Sequence, residues 1–313
     1  MSHIKSFLER LESSISKAIL GKSKQAELLG IAFLCGGHVL MEDLPGTGKT
    51  MMMRAFAKTV GGKFSRIQLT PDVMPSDVTG ISFFNMKEGE FEFREGPVFA
   101  NIVLADEINR ASPRTQSGLL EAMAEGQVTV DGKTYPMEQP FMVVATQNPL
   151  ESFGTFPLPE AQLDRFMMKL SLGYMDRSEE LDVARRKETA EIIEELQSIL
   201  QPDELEHCRR EADLIHFGKA SEGYLMDIVD LTRNNPHFRA GVSTRSVTAL
   251  HKASRILAAA RGREYVLPED VKYLAPYMMA HRCVYRDISD SNGKFDFFIK
   301  MLEKVEVPTE ELR

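Results

Sequence analysis

Residues 43–50 read Asp-Leu-Pro-Gly-Thr-Gly-Lys-Thr and bring two glycines, a lysine and a hydroxyl into one short segment. Gly46 and Gly48 have no Cβ, so a loop that contains them can turn tightly and direct backbone N–H groups at phosphate oxygens. The helix predicted to follow adds its positive amino end. Lys49 can neutralise outer phosphates, and the Thr50 hydroxyl can ligate a magnesium ion. The segment therefore predicts a binding loop for a nucleoside triphosphate.

A second group with chemical potential is an acidic pair. The apolar run 102–105 reads as a buried strand and leads directly into Asp106 and Glu107. Asp106 can hold the magnesium ion from the side opposite Thr50. Glu107 is then left free as the base for an attacking water. Together with the loop, the pair predicts a nucleoside triphosphatase.

The loop departs from the strict phosphate-binding pattern at its first position, where Asp43 stands in place of glycine. An ordinary strand-turn-helix would explain Pro45 and Gly46, but it would explain neither residues 48–50 nor the acidic pair. We therefore keep the nucleotide hypothesis. The candidate nucleotide-binding residues in and after the loop are Pro45, Gly46, Thr47, Gly48, Lys49, Thr50 and Met51.

The composition is typical of a globular protein. With 313 residues, 43% of them hydrophobic, the chain suits two domains with a large core. Its net charge of −8 argues against a protein whose main task is to coat nucleic acid, because that task needs a dominant basic surface. A local basic strip is still compatible with this balance.

The cysteines and histidines give no sign of a metal or disulfide framework. Cys35, Cys208 and Cys283 lack CxxC spacing, which indicates a reducing compartment. None of the seven histidines has HExxH spacing, so core or surface histidines are favoured over metal ligands.

The amino-terminal segment does not resemble an export signal. Residues 2–17 mix charges with apolar residues at helical spacing. The longest apolar stretch, 28–41, is interrupted by glycines and is shorter than the roughly 18 residues of a membrane span. We expect a cytoplasmic protein with no membrane span.

The elements that must position these residues alternate between helix and strand from Gly21 to about Leu172. Near-continuous apolar strands separated by helices predict a parallel sheet covered on both faces, with ligands beyond the carboxyl ends of the strands. The predicted strands are His38–Met41, Phe64–Leu69, Ile102–Ala105, Phe141–Thr146 and Met167–Leu172, and the predicted helices are Gln25–Leu34, Thr50–Val60 and Gln116–Glu125.

Two stretches interrupt this alternation. Residues 81–93 alternate in character around a Glu-Gly turn, and residues 128–137 contain Asp131-Gly132, a strong two-residue hairpin signal. We predict two β-hairpins inserted into the α/β core. They either decorate the surface, or line a pore or grip a client protein.

After Met175 the patterns become mainly helical, which predicts a core domain at 1–174 and a smaller α-helical domain at 175–313. The only strand signal there is the short run 265–267. The predicted helices are Arg177–Ile199, Glu204–Leu214, Ser221–Thr232, Ser246–Arg261 and Pro268–His281; Pro202 and Pro268, each followed by acidic residues, mark helix starts.

Four segments closely resemble the motifs of the MoxR family of AAA+ ATPases, in the family's order and at its spacing. They are 42–50, 101–112, 145–149 and 154–166, and the similarity continues through 241–245 and the helical part. The loop alone would indicate only an ATPase or GTPase, whereas Asp-Glu-Ile-Asn-Arg-Ala and Pro-Leu-Pro-Glu-Ala-Gln-Leu-Asp-Arg-Phe are far more specific. Asp43 in the first loop position also resembles this family.

The resemblance implies an ATP hydrolase that uses magnesium, with a P-loop AAA+ core and an all-α lid. It implies a hexameric ring with nucleotide between subunits, one hairpin interrupting the second core helix and one ahead of the fourth core strand. Family members are regarded as chaperone-like machines that mature other protein complexes. Partners with von Willebrand factor A domains are common among them.

Further site residues are implied by the same resemblance. Asn148 is similar to the first sensor, which would hold the attacking water, although an Asn-Pro turn also fits. Arg165 is similar to the arginine finger that reaches a neighbour's site, although a surface pair with Asp164 also fits. Arg245 is similar to the second sensor, acting on its own subunit or on a neighbour.

The segment that would pack on adenine is Ile19, Leu20 and Gly21, by the same resemblance. Simple packing at the amino terminus fits these residues nearly as well.

Three other functions compete with this reading. A nucleic-acid motor is disfavoured by the acidic balance and by the lack of a recognisable DNA-binding module. A scaffold that binds ATP without turnover is disfavoured because it would need neither a catalytic base such as Glu107 nor an arginine finger such as Arg165. A magnesium-chelatase-like subunit is a related possibility, but the motifs of this sequence resemble those of the MoxR family more closely.

Overall fold

The computed structural model describes residues 2–149, 154–185, 189–201, 203–288 and 290–308. The parts of the predicted domains and of the predicted helix 177–199 that fall at 1, 150–153, 186–188, 289 and 309–313, and the helix start at Pro202, therefore lie outside the described residues. In chain order the elements are α1 His3–Ala18, α2 Ser23–Cys35, β1 Val39–Glu42, α3 Lys49–Val60, β2 Phe64–Gln68, α4 Pro75–Thr79, β3 Gly80–Asn85, β4 Glu90–Glu95, β5 Ile102–Asp106, α5 Pro113–Glu125, β6 Gln127–Val130, β7 Lys133–Pro136, β8 Met142–Gln147, α6 Glu160–Leu163, β9 Met168–Leu170, α7 Arg177–Arg185, α8 Thr189–Glu195, α9 Glu204–Leu214, α10 Lys219–Asn234, β10 Phe238–Ala240, α11 Thr244–Ala260, α12 Pro268–Met279, β11 Val284–Tyr285 and α13 Ser291–Leu302.

The predicted parallel sheet is confirmed, with five strands in the order β2-β5-β8-β1-β9. Alternate side chains of the central strands β1, β5 and β8 enter different cores: Val39 and Met41 of β1 join one apolar cluster, and Leu40 joins a second one. Burial on both faces explains why these strands read as continuous apolar runs. Because all five strands are parallel, their carboxyl ends meet at one edge of the sheet.

Both predicted hairpins are present. β3 pairs with β4 and β6 with β7, each antiparallel, and Asp131 and Gly132 form the second turn with positive φ. The rings of Phe93 and Tyr135 stack at 4.0 Å and join the two hairpins. The first hairpin follows the five-residue α4, and the second lies ahead of β8, the fourth strand of the sheet.

The carboxyl-terminal part is mainly helical, and the amino-terminal helix packs with it in one apolar core. That core contains Phe7 of α1, Ile31 of α2 and Leu250 of α11. The expectation of no strand beyond 265–267 was wrong: β10 pairs antiparallel with β11, while Tyr265 makes only a single bridge to His216. Strands of two or three residues are too short for alternation to reveal. Helix α13 was not predicted either.

Within the part of the chain that the structure describes, no helix combines the length and apolar character needed to cross a bilayer.

Candidate active site

The predicted phosphate loop connects β1 to α3 and presents an open surface. Gly46 and Gly48 have φ of +83° and +88°, values that L side chains rarely adopt. Apart from the glycine and its neighbours in the chain, no heavy atom of the described residues lies within 4 Å of the place where a Cβ would stand on either glycine. Gly48 is the residue from which α3 begins, so the amino end of that helix faces the loop. The loop therefore has the backbone shape and the free space that a phosphate needs.

Polar side chains of the loop are turned back onto its own backbone. Lys49 Nζ donates to the carbonyl oxygens of Asp43 at 2.8 Å and Leu44 at 3.4 Å. Thr47 Oγ1 also donates to Leu44 O, at 3.2 Å. Thr50 is half-buried in the first turn of α3. An anion in the loop would compete with these carbonyl oxygens for the Lys49 ammonium group.

Asp43 accounts for the departure from the strict loop pattern. Its buried carboxylate accepts hydrogen bonds from Ser171 Oγ at 2.6 Å, Leu172 N at 2.8 Å and Gly173 N at 2.9 Å. These donors follow β9, the edge strand next to β1. A glycine at position 43 would leave the buried N–H of Leu172 without this acceptor. Asp43 therefore ties the beginning of the loop to the chain that leaves the sheet.

Asp106 lies at the carboxyl end of β5 and bonds to both neighbouring strands. Its Oδ1 accepts from Thr146 Oγ1 of β8 at 2.6 Å. Its Oδ2 accepts from Arg66 of β2, with Nη2 at 2.6 Å and Nε at 3.2 Å. Asp106 is thus oriented by Thr146 and ion-paired with Arg66, which occupies an oxygen that a metal ion would use.

Glu107, the predicted base, is held by contacts within its own subunit. Its φ is +59°, and its N–H donates to Thr146 Oγ1 at 2.9 Å. Its Oε2 accepts from Gln68 Nε2 at 3.1 Å and from Arg110 Nη1 at 3.0 Å. These partners come from β2 and from the turn after β5, which a single strand pattern cannot reveal.

Asn148 follows β8, the strand between β1 and β5, and only 7% of it is exposed. It lies at the sheet edge between the phosphate loop and Asp106. A cavity of about 470 Å³ opens beside the loop; its lining includes Asp43, Thr47 and Pro149.

The predicted adenine segment is partly assembled with the start of α3. Ile19 and Met51 pack against the apolar cluster of Ile193 and Leu196, which are residues of the helical part. Gly21 has φ +65°, and a Cβ there would collide with the Glu179 carboxylate. Leu20 is half-buried.

Arg165 and Arg245 lie together, at the other end of β1. Both line a cavity of about 250 Å³ whose walls include Lys252 and the segment 36–38 that precedes β1. Arg165 Nη1 donates to Leu120 O at 2.5 Å. Asp164 is not its partner, because that carboxylate bonds to Ser243 and pairs with Arg282. The structure therefore separates the candidate residues into two groups.

Arg66, Gln68, Arg110 and Thr146 contact the acidic pair and were not singled out from the sequence. Arg110 and Thr146 lie within the family-like segments 101–112 and 145–149, whereas Arg66 and Gln68 are polar residues of a short strand outside those segments. No pattern connects them to positions about 40 residues away.

Comparisons with known proteins agree with this geometry. Residues 38–168 match the model of the ATPase family associated with various cellular activities (AAA), and residues 230–296 match the AAA lid domain. A crystal structure of a candidate ATPase from Cytophaga hutchinsonii superposes with a TM-score of 0.88 at 36% identity, covering 98% of this chain and 96% of that one. The fold and the loop are those of an AAA+ ATPase core with a helical lid.

The relatives define the family more narrowly. Chaperone MoxR1 of Mycobacterium tuberculosis is 38% identical over 96% of this chain and 82% of its own length. Protein MoxR of Methylorubrum extorquens is 31% identical, with 87% and 86% covered. The uncharacterized protein YeaC of Bacillus subtilis is 51% identical, with 86% and 84% covered. The chain belongs to the MoxR family of AAA+ ATPases.

Proposed function

We propose that this protein hydrolyses ATP with magnesium at sites shared between neighbouring copies in a hexameric ring, and that the cycle drives chaperone-like remodelling of a client protein. The observation that carries the shared site is the separation of Lys49 from Arg165 and Arg245. The phosphate loop follows β1, whereas the cavity that holds both arginines adjoins the residues before β1.

The length of β1 bears on whether Arg165 and Arg245 can reach the nucleotide of their own subunit. β1 has four residues, which at about 3.3 Å each span roughly 13 Å, and the side chains lie beyond its two ends. An arginine side chain does not bridge that distance through a packed sheet. Arg165 and Arg245 therefore serve the nucleotide of a neighbouring copy, and both act in trans. For Arg245, whose action on its own or a neighbouring subunit the sequence left open, we therefore propose the neighbouring one.

The residues at the loop fit a nucleotide with magnesium. Open space above Gly46 and Gly48 admits phosphate oxygens, and Lys49 can leave its carbonyl partners for them. Thr50 and Asp106 offer the oxygen ligands that magnesium prefers and would hold the ion beside the phosphates. Magnesium bound there would neutralise phosphate charge during transfer. Ile19 and Met51 would form the apolar side of the adenine site, with Leu20 and Gly21 beside them.

Glu107 is assigned as the base that takes a proton from the attacking water, with Asn148 holding that water. Gln68 and Arg110 both bond to Oε2 of Glu107, so the proton goes to Oε1 or to an Oε2 that these partners have released. A finger arginine from the neighbour then stabilises the charge on the transferred phosphoryl group. Glu107, Asn148 and the finger arginine thus each have a role in the proposed reaction.

The biological setting follows from the family. We propose a cytoplasmic machine with a core at 1–174 and a lid at 175–313, a division supported by family-model matches that end at 168 and begin at 230. The relative named a chaperone supports a protein client. A protein with a von Willebrand factor A domain is the partner we propose.

Mixing two inactive variants tests the shared site. Arg165→Ala keeps its phosphate loop and should bind ATP without turnover, and Glu107→Gln should bind ATP while keeping its finger. A mixture should regain a substantial part of wild-type ATP hydrolysis, because one copy supplies the base and the other the arginine. Lys49→Ala mixed with Glu107→Gln is the control, since neither copy can complete a site. Full activity of Arg165→Ala alone would contradict the proposal.

A further inference from the structure

Arg282 is a buried arginine that the proposed reaction does not use. It lies in the short 3-10 turn after α12 and is 7% exposed. Its Nε and Nη2 donate to Phe166 O at 3.1 and 2.8 Å, and its Nη1 donates to Ser246 Oγ at 2.8 Å. One guanidinium group thus bonds two segments that are 80 positions apart in the sequence.

Asp164 completes the same network. Its carboxylate accepts from Ser243 Oγ at 2.9 and 3.1 Å and lies 3.7 Å from Arg282 Nε. Ser243 is the N-cap of α11, and its Oγ accepts from the Ser246 N–H. His281 adds a third hydrogen bond to the Phe166 carbonyl, from Nε2 at 3.0 Å. We call Asp164, Phe166, Ser243, Ser246 and Arg282 the arginine joint.

The position of the arginine joint in the sequence is informative. Asp164 and Phe166 flank Arg165 on both sides, and Ser243 and Ser246 flank Arg245 in the first turn of α11. Arg165 and Arg245 line one cavity, and Arg282 lines it with them. Hydrogen bonds of the arginine joint therefore connect the residues beside Arg165 with the residues beside Arg245.

We propose that Arg282 is a positioning residue that makes Arg165 and Arg245 move as one unit, so that both reach the neighbour's nucleotide together. This inference rests on the proposed shared site. Arg282 does not touch the nucleotide and acts only through the arginine joint. Its planar fork is required, because a lysine has one nitrogen and cannot bond Phe166 and Ser246 in the same geometry.

The electrostatic setting agrees with a permanent charge at this position. Burial lowers the pKa of Arg282 to about 10, Asp164 opposes this effect and the charge of Arg245 adds to it. The guanidinium stays protonated at neutral pH. The Asp164 carboxylate, 3.7 Å away, opposes this charge and helps to stabilise a buried arginine near the cationic Arg245.

The test asks whether a copy with a damaged joint can still donate its arginines. Arg165→Ala subunits, which keep the phosphate loop, are mixed with Glu107→Gln subunits or with the double variant Arg282→Lys/Glu107→Gln. We expect the single variant to restore ATP hydrolysis and the double variant to restore at least tenfold less. The control is Arg286→Lys/Glu107→Gln, which changes an exposed arginine four positions away and should rescue like the single variant.

The kinetics of the Arg282→Lys variant on its own distinguish a positioning role of Arg282 from a merely structural one. Its kcat should fall at least tenfold while its KM for ATP and its ADP affinity stay within about twofold, because the phosphate loop lies at the other end of β1. Ser246→Ala removes one acceptor of the guanidinium with little change of volume and should lower kcat by a smaller factor. It is the variant used in the mixture if circular dichroism shows that Arg282→Lys is unfolded.

Two outcomes overturn the inference, and they are distinguishable. Equal rescue by the single and double Glu107→Gln variants removes the arginine joint from the mechanism and leaves the shared site intact. Failure of Glu107→Gln itself to rescue Arg165→Ala refutes the shared site, and the arginine joint with it.

Discussion

At the scale of single residues, the acidic pair is held by cations from its own subunit. Arg66 pairs with Asp106, and Arg110 pairs with Glu107. Both arginines are partly exposed, so each pair is screened by solvent and each contributes little stability. Such contacts are easily exchanged for a metal ion or a water. The pair is therefore oriented by Thr146 and held by contacts that are weak enough to release it.

Replacing Glu107 by glutamine should separate ATP binding from ATP cleavage. The amide keeps the size of the side chain and cannot accept the proton of water, so turnover should fall by about 10²- to 10⁴-fold while the ATP affinity is retained. ADP formation under saturating ATP measures the first effect, and nucleotide titration the second. Glu138→Gln, at an exposed glutamate, is the control. ADP formation near the wild-type rate would remove Glu107 from the role of base.

Replacing Arg66 by alanine should make magnesium easier to bind. Asp106 would no longer exchange an ion pair worth up to about 1 kcal/mol for the metal, so the magnesium concentration for half-maximal hydrolysis should fall by about two- to fivefold. A magnesium titration at fixed ATP measures it. Arg94→Ala, on the exposed first hairpin, should leave the titration unchanged. A higher magnesium requirement in Arg66→Ala would show that Arg66 helps the metal site.

The residue types of the phosphate loop and the acidic pair could be read from the sequence, because their chemistry lies in neighbouring positions. Their partners could not. Thr146 and Arg66 each lie 40 positions from Asp106, and only the strand order β2-β5-β8 brings them to it. Asp164 and Arg282 are 118 positions apart in the sequence and depend on the packing of two domains.

At the scale of elements, His38 connects three of them at the beginning of β1. Its Nε2 donates to Met123 O in α5, and its Nδ1 accepts from the N–H of Val143 in β8. This arrangement requires the neutral imidazole, since a protonated Nδ1 could not accept. Burial lowers the pKa of His38 to about 4 despite the Met123 bond, which favours the protonated form.

Acidification should therefore destabilise the fold through His38. A pKa of about 4 in the folded state and about 6.5 in the unfolded chain means that the unfolded state binds the proton first, so stability present above pH 6.5 is lost as the pH falls towards 4. Between pH 7 and pH 5 the loss amounts to about 2 kcal/mol. Urea unfolding at both pH values should show this loss in the wild type.

The variant His38→Gln cannot titrate and should lose about 2 kcal/mol less over the same interval. His207→Gln, at an exposed histidine, should behave like the wild type. Equal pH dependence of the wild type and His38→Gln would assign the acid sensitivity to other groups, of which buried His281 is the first to examine, because burial also lowers its pKa.

The long elements could be predicted and the short ones could not. The central strands β1, β5 and β8 are apolar runs that burial on both faces imposes, and Asp131-Gly132 marks its hairpin directly. The strands β10 and β11 have three and two residues, too few to show a period. Helix α13 begins in a polar stretch that reads as a loop, although Asp290 caps it by accepting from Gly293 N.

At the scale of the whole molecule, the first hairpin presents an apolar surface to solvent. Phe84, Met86 and Phe91 are 51%, 89% and 68% exposed, and the rings of Phe84 and Phe91 are in contact at 5.3 Å. A two-stranded hairpin with such a surface is marginal in water. Phe93 secures it by stacking on Tyr135 of the second hairpin.

Dilution of the protein should abolish ATP hydrolysis while ATP binding is retained. If the finger is supplied by a neighbour, ATP hydrolysis per subunit should fall more than tenfold once the concentration is well below that of half-assembly. Light scattering run alongside the ATPase assay measures assembly and turnover together. Lys49→Ala should be inactive at every concentration. Constant turnover per subunit in a sample shown to be monomeric would contradict the shared site.

The carboxylate of Asp43 has a consequence for how a nucleotide is received. Because Ser171, Leu172 and Gly173 already fix it, the entrance of the loop is ordered before any ligand arrives. Little conformational entropy is then lost there on binding, so more of the favourable contact energy appears as affinity. With glycine at position 43, the entrance of the loop would lose conformational entropy each time a nucleotide bound.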